Sequence, residues 1–293
     1  MAKARAKLKK NVLKKAKKPA AKKFVAKSRT QHAKRAAQQP IEVYFWPTPN
    51  GWKITVMLEE CGLPYTIKPV NIARGDQFKH EFLAISPNNR IPAIIDPDGP
   101  GGKPISVFES GAILQYLGRK SGKYYPTDER KRIEVEEWLY WQVGNLGPMA
   151  GQAHHFRRYA HEKIEYAIAR YTNEVRRLYG LMNKRLAKRD FLAGTYSIAD
   201  MASYPWAKLW ERQGQDIGDF PHFKAWLDRM KARPGVQRGM AVRVEEAGKI
   251  DLAKDELARK ILFGQGTENW WRRVIVLMSK WKKRQAHAVR FFA

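Results

Sequence analysis

Between an alternating apolar run (Ile41, Val43, Phe45) and a helical run from Trp52 to Glu60 lies Pro47-Thr48-Pro49-Asn50-Gly51. No other stretch constrains the chain as tightly, because a strand must end and a helix begin within five residues. Pro49 has no N–H to lose and a φ suited to a first helical turn. Thr48 and Asn50 are therefore held where free backbone N–H groups and the positive end of a helix dipole gather. An anion above this turn, such as a thiolate, is favoured. Taken alone, the two side chains read first as turn and cap residues, and the rest of the chain has to decide.

The helix carries Ile54, Leu58 and Cys61 on one stripe and stops at Gly62-Leu63-Pro64. Alternation predicts a second strand over Tyr65 to Val70, and a short helix over Gly75 to Ala84 bears Gln77 and Phe82. After the turn Ser86-Pro87-Asn88-Asn89, a third strand is expected over Arg90 to Asp96, a hairpin connection over Pro97 to Gly102, and a fourth strand over Ile105 to Phe108. Glu109-Ser110-Gly111 opens a helix that ends at Gly122. The order βαβαββα describes a small α/β sandwich over residues 41–124.

After Pro126 no strand pattern appears. Arg130 to Leu146 is predicted helical, with a break at Gly147-Pro148 and through the His-rich stretch to Tyr159. Ile164, Ile168, Tyr171, Val175, Leu178 and Met182 mark the clearest helix. Ser197-Ile198-Ala199-Asp200 is a capping box before another helix, which Pro205 should kink, and Asp219-Phe220-Pro221 starts one more. Residues 125–265 are therefore expected to be all-helical.

Charge separates two tails from this body. The chain of 293 residues carries +28. Residues 1–40 hold 15 Lys and Arg and no acid, and residues 269–293 hold 7 and no acid, leaving a net of +6 between. The Lys/Ala-rich arm at 1–40 has too few large apolar groups to offset its ordering entropy and is expected to be disordered. Such an arm suits phosphate neutralisation on nucleic acid. Competing readings are a solubilising arm, an upstream extension, and a transit peptide, against which stand the excess of Lys over Arg and the scarcity of serine. Residues 266–293 make a basic amphipathic stripe, suited to an anionic membrane surface or a partner, or are an extension without a role. No apolar run reaches the ~20 residues of a membrane helix.

Several phrases together resemble one family. Ile91-Pro92 before a strand, Glu109-Ser110 before a helix and the box at Ser197 to Asp200 are similar to features of soluble glutathione transferases. Tyr44 to Gly51, Ser86 to Ile94, Trp141-Gln142-Val143-Gly144 and Ala258 to Gln265 resemble the bacterial Nu-class, Ure2p-like group. The resemblance covers residues 41–265 and neither tail. It implies a thioredoxin-like N-terminal domain and an all-α C-terminal domain, with glutathione as cosubstrate and no metal. It implies that Thr48 and Asn50 hold the glutathione sulfur as catalytic residues, since a hydroxyl and an amide can both donate to an anion. It implies further glutathione contacts from Gln77, from the Ile91 backbone, from Glu109 to the α-ammonium, from Ser110 to the γ-glutamyl carboxylate, and from Arg170 to a carboxylate. Taken singly, Ser110 reads as an N-cap and Arg170 as a solvated helix charge.

Three other features are weaker. Cys61 lies on an apolar stripe and is expected to be buried and inert. His154, His155 and His161 lack the partners of a metal site and suit the wall of a cleft. Trp138, Trp141, Trp206 and Trp226 suit core and domain interface. The expectation is a cytoplasmic, homodimeric enzyme that reduces small disulfides or peroxides with glutathione and conjugates electrophiles less strongly. The alternative is a non-catalytic glutathione-binding module tethered to nucleic acid by residues 1–40.

Overall fold

The structure, a computed structural model, describes residues 39–246 and 255–264. The expectations for residues 1–38 and for the C-terminal stripe lie outside the described residues.

Strand β1 (Ile41–Phe45) buries Ile41, Val43 and Phe45 completely and leaves Glu42 and Tyr44 half-buried, as period-two alternation requires. With β2 (Tyr65–Pro69), β3 (Ala93–Asp96) and β4 (Ile105–Phe108) it forms a sheet of order β2-β1-β3-β4. The β1–β2 pair is parallel and the other two pairs are antiparallel. Helix α1 (Pro49–Cys61) makes the crossover between the parallel strands.

The register places the future site. Tyr44 lies opposite Ala93, and Ala93 opposite Phe108. The end of β1, the start of β3 and the end of β4 therefore coincide. Trp46 to Asn50, Ile91-Pro92 and Glu109-Ser110 all leave the sheet at that one end.

Two expected elements change. The helix over 75–84 is instead a 3-10 turn at Asp76–Phe78 and a one-turn helix α2 (His80–Leu83). Gly75 sits at φ +82°, and the Asp76 carboxylate accepts the Asn71 N–H at 2.9 Å, closing its own loop. Strand β3 begins at Ala93 rather than Arg90: Pro92 has no N–H for the ladder, and the Ile91–Pro92 bond is cis.

Helix α3 (Ser110–Ser121) follows β4. The helical part contains α4 (Glu129–Trp141), α5 (Gly147–His154), α6 (Glu165–Leu186), α7 (Ile198–Ala207), α8 (Pro221–Lys231), α9 (Pro234–Ala241) and α10 (Glu256–Phe263). The break expected at Gly147-Pro148 is absent. A wider π-helical turn over Gln142–Leu146 carries α4 into α5, and the widened turn takes up Pro148, whose N makes no helical bond. A second such turn, His155–Tyr159, follows α5. The stripe on α6 is buried only from Val175 onward; Tyr166 is 78 % exposed and Ile164 42 %. Helix α7 runs through Pro205 to Ala207, and its capping box is present.

Helix α1 packs against α9, α7 and α3, tying the sheet to the helical part. Two glycines allow close approaches here, Gly239 between α9 and α1 and Gly51 within the turn that starts α1. A Cβ on Gly239 of α9 would stand 2.5 Å from the Val56 backbone, and one on Gly51 would stand 2.3 Å from the Trp46 carbonyl oxygen.

Candidate active site

Helix α1 starts at the sheet end where the three segments converge. Thr48 is its N-cap, with the hydroxyl oxygen accepting the Gly51 N–H at 3.3 Å. That bond uses an acceptor lone pair and leaves the hydroxyl proton free to donate outward. No acidic residue sits in the first turn, so the positive end of the dipole is not neutralised.

Asn50 is oriented from the helical part. The Trp206 indole N–H donates to Asn50 Oδ1 at 2.9 Å. An indole N–H only donates, so Asn50 must offer it the carbonyl oxygen. The amide NH₂, the donor, is left unpartnered among the described residues. Trp206, expected from the sequence only at the core or domain interface, has a role there that the sequence does not mark: it orients Asn50.

Thr48, Asn50, Gln77 and Ile91 line one cavity of about 370 Å³, within the range of small-ligand sites. Gln77 is 1 % exposed. Its Nε2 donates to the Ile72 carbonyl at 2.9 Å, and its Oε1 is buried with no partner. An orphaned buried acceptor is costly and calls for an N–H donor. The facing wall is His154, Tyr159, Trp206, Leu262 and Phe263. His154 stacks on Tyr159 with centroids 4.8 Å apart, and Phe263 packs on His155 and Tyr159. The Arg74–Asp255 ion pair, 2.7 Å, fixes the start of α10 beside the cavity.

Burial, with the charges of Arg212 and Arg158, pushes the His154 imidazole down to about 4. It is neutral at pH 7, so this wall is uncharged as well as largely apolar. The group should ionise in the unfolded chain near pH 6.5 but in the folded one only near 4. The unfolded chain thus binds more protons between these values, and stability falls as pH drops through them. The loss at pH 5 should be about 2 kcal/mol. Burial pushes Asp200 up to about 6 and acts in the opposite sense. The measurement is therefore the change in denaturation midpoint between pH 7.5 and 5 in wild type and in His154→Phe. The variant should lose less.

The other predicted residues lie elsewhere. Ser110 is the first residue of α3, 8 % exposed, and accepts from the Lys53 ammonium at 3.3 Å. Glu109 precedes it at φ +67°, a strained conformation for a residue other than glycine, with its carboxylate 3.4 Å from Asn88 Nδ2. Neither lines the cavity, although both stand at the same sheet end. Arg170 is exposed on α6 and outside the cavity. His161 is exposed, and among the described residues no three His, Cys, Asp or Glu side chains cluster to hold a metal ion. Cys61 is buried at the far end of α1, with burial pushing its thiol up. Trp226 is fully buried core, while Trp138 and Trp141 pack edge to face at 5.1 Å.

Comparison with known proteins agrees with this geometry. The glutathione S-transferase N-terminal domain matches residues 48–120, and the glutathione S-transferase C-terminal domain matches residues 148–234. The chain is 50 % identical over 202 residues to the disulfide-bond oxidoreductase YfcG of Escherichia coli, covering 68 % of this chain and 94 % of that protein. It is 41 % identical over 219 residues to YghU of the same organism, also called a disulfide-bond oxidoreductase, covering 70 % and 75 %. A Pseudomonas putida glutathione transferase, solved with one glutathione disulfide bound per subunit, superposes with a TM-score of 0.66 at 41 % identity, covering 70 % of this chain and 92 % of that one. A Burkholderia graminis glutathione transferase with two glutathione molecules per subunit gives 0.66 at 43 %, covering 69 % and 87 %. The chain belongs to the glutathione S-transferase family.

Proposed function

We propose that the chain is a glutathione-dependent reductase of small disulfides and peroxides, with a weaker glutathione transferase activity toward electrophiles. The observation that carries this reading is the pairing of two uncharged donors, Thr48 and Asn50, at the unneutralised start of α1, lining one cavity. A thiolate resting there is stabilised by two hydrogen bonds and the helix dipole, without being locked into an ion pair. Gln77 Oε1 accepts a peptide N–H of glutathione, the Ile91 backbone pairs with its cysteine residue, and Glu109 and Ser110 take its γ-glutamyl end. Arg170 fits only as a contact supplied across a dimer. Ile133 and Tyr140, exposed and seven residues apart on α4, offer such an interface an apolar face. We place the enzyme in the cytoplasm, where glutathione is kept reduced.

The glutathione thiolate attacks one sulfur of the substrate disulfide. The S–S bond breaks, and the departing thiolate takes up a proton. A second glutathione thiolate then attacks the glutathione sulfur of the mixed disulfide, releasing the second thiol and glutathione disulfide. Two glutathione molecules are oxidised and one disulfide is reduced, with no protein cysteine involved. Cys61 lies about 18 Å along α1 from the donors, at 1.5 Å per residue. Full-length Cys61→Ala should therefore turn over the mixed disulfide of glutathione and 2-mercaptoethanol within about twofold of wild type, because a buried high-pKa thiol contributes no nucleophile. Loss of turnover in a folded variant would make the protein cysteine the nucleophile instead. Glutathione binding without turnover in wild type would favour the non-catalytic alternative, whose other support is the composition of residues 1–40.

A further inference from the structure

Lys53 stands on α1 among apolar neighbours and is 2 % exposed. Its Nζ donates to Gln142 Oε1 at 2.7 Å and to Ser110 Oγ at 3.3 Å. Both partners are neutral. Glu109 is the carboxylate whose charge acts on it, and that side chain is exposed and turned to Asn88. Burial pushes the ammonium down to about 7, with Glu109 pulling the other way. A buried cation without a bonded carboxylate is costly, and a methionine of similar length would fill the space without that cost.

The hydrogen-bond chemistry gives the lysine a use. In its protonated form Lys53 only donates, so Ser110 Oγ then accepts from it and the serine proton points away. Ser110 opens α3, a twelve-residue helix with no acidic residue in its first turn. Gln142, in the wide turn after α4, holds the ammonium from the other side. Its Nε2 is buried without a partner, in a space kept open by Gly147, where a Cβ would stand 2.8 Å from it.

We propose that Lys53 is a positioning residue, which turns the Ser110 hydroxyl outward as a donor to the γ-glutamyl carboxylate of glutathione and supplies the buried positive charge behind it. This rests on the reading above that Ser110 takes that carboxylate.

The test is calorimetric titration of the full-length protein with S-methylglutathione, whose thioether carries no proton. Lys53→Met and Ser110→Ala should each weaken binding about tenfold, and the double variant should be little weaker than the worse single one. Against an analogue with the γ-glutamyl carboxylate amidated, whose carbonyl still accepts but carries no charge, the loss in both variants should shrink to about twofold, which a merely structural role for Lys53 would not produce. Wild-type affinity in folded Lys53→Met, alongside weakened Ser110→Ala, overturns the proposal and leaves the Ser110 reading standing. Unchanged affinity in Ser110→Ala overturns both. Should Lys53→Met fail to fold, wild type decides. At pH 7.5, in buffers of different ionisation heat, binding of S-methylglutathione should take up a fraction of a proton as the carboxylate arrives near the ammonium. No uptake overturns the proposal.

Discussion

Asn50→Ala should lower kcat/KM for disulfide reduction by about a hundredfold, the usual cost of removing one preorganised donor to a reacting anion. Glutathione affinity should change far less, since Gln77, Ile91 and the γ-glutamyl contacts remain. Asn50→Asp should be worse than Asn50→Ala, because it sets a carboxylate against the sulfur anion. Trp206→Phe separates orientation from presence. The ring stays in the cavity wall, but the N–H that holds Asn50 Oδ1 is gone. The amide can then turn its oxygen toward the thiolate, and kcat/KM should fall roughly fivefold to tenfold, with KM for glutathione nearly unchanged. Steady-state kinetics at fixed saturating disulfide measures all three. An unchanged kcat in folded Asn50→Ala would remove Asn50 from the site.

The second large effect concerns stability. Asp200 is completely buried in the capping box of α7. One carboxylate oxygen accepts the Leu192 N–H and the Trp226 indole N–H, each at 3.0 Å. The other accepts the Ser197 N–H at 3.1 Å and lies 3.3 Å from the Ser197 hydroxyl. Asp200→Ala strands these donors in the core and should cost about 3–5 kcal/mol. At a few degrees per kcal/mol, Tm should drop by roughly 10 °C. Asp200→Asn should lose most of the same amount, because either orientation turns an NH₂ group against donors. Thermal unfolding followed by circular dichroism gives both values. A small loss in Asp200→Asn would mean that one remaining oxygen satisfies these donors, and would contradict this account of the cost.

What could be read in advance follows the range of the interactions involved. The strand alternation at Ile41, Val43 and Phe45, the stop at Gly62 and the capping box at Ser197 are local, and each leaves a pattern within a few residues. The phrase around Thr48 and Asn50 was legible for the same reason. The split helix at Asp76 was not, because a side-chain bond to the Asn71 N–H competes with a helix pattern that looks intact in the sequence. Nor were the two π-helical turns, since nothing in the spacing of apolar residues marks one extra residue in a turn. The roles missed, those of Trp206 and Lys53, involve partners 156 and 57 positions away. A tryptophan and a lysine on helices look like packing and solvation until the fold brings those partners together. Lys53 did leave one trace, a charge inside the apolar run from Trp52 to Leu58, where burial would be expected to exclude it.

The central claim is that this protein holds glutathione as a thiolate above the start of α1. The direct measurement is a pH titration of the bound thiol by its ultraviolet thiolate absorbance, in wild type and Asn50→Ala. A free thiol titrates near pH ~8.5. Bound to wild type it should titrate at about 7 or below, and in Asn50→Ala most of the way back toward the free value. A bound thiol that titrates like the free one would contradict the account.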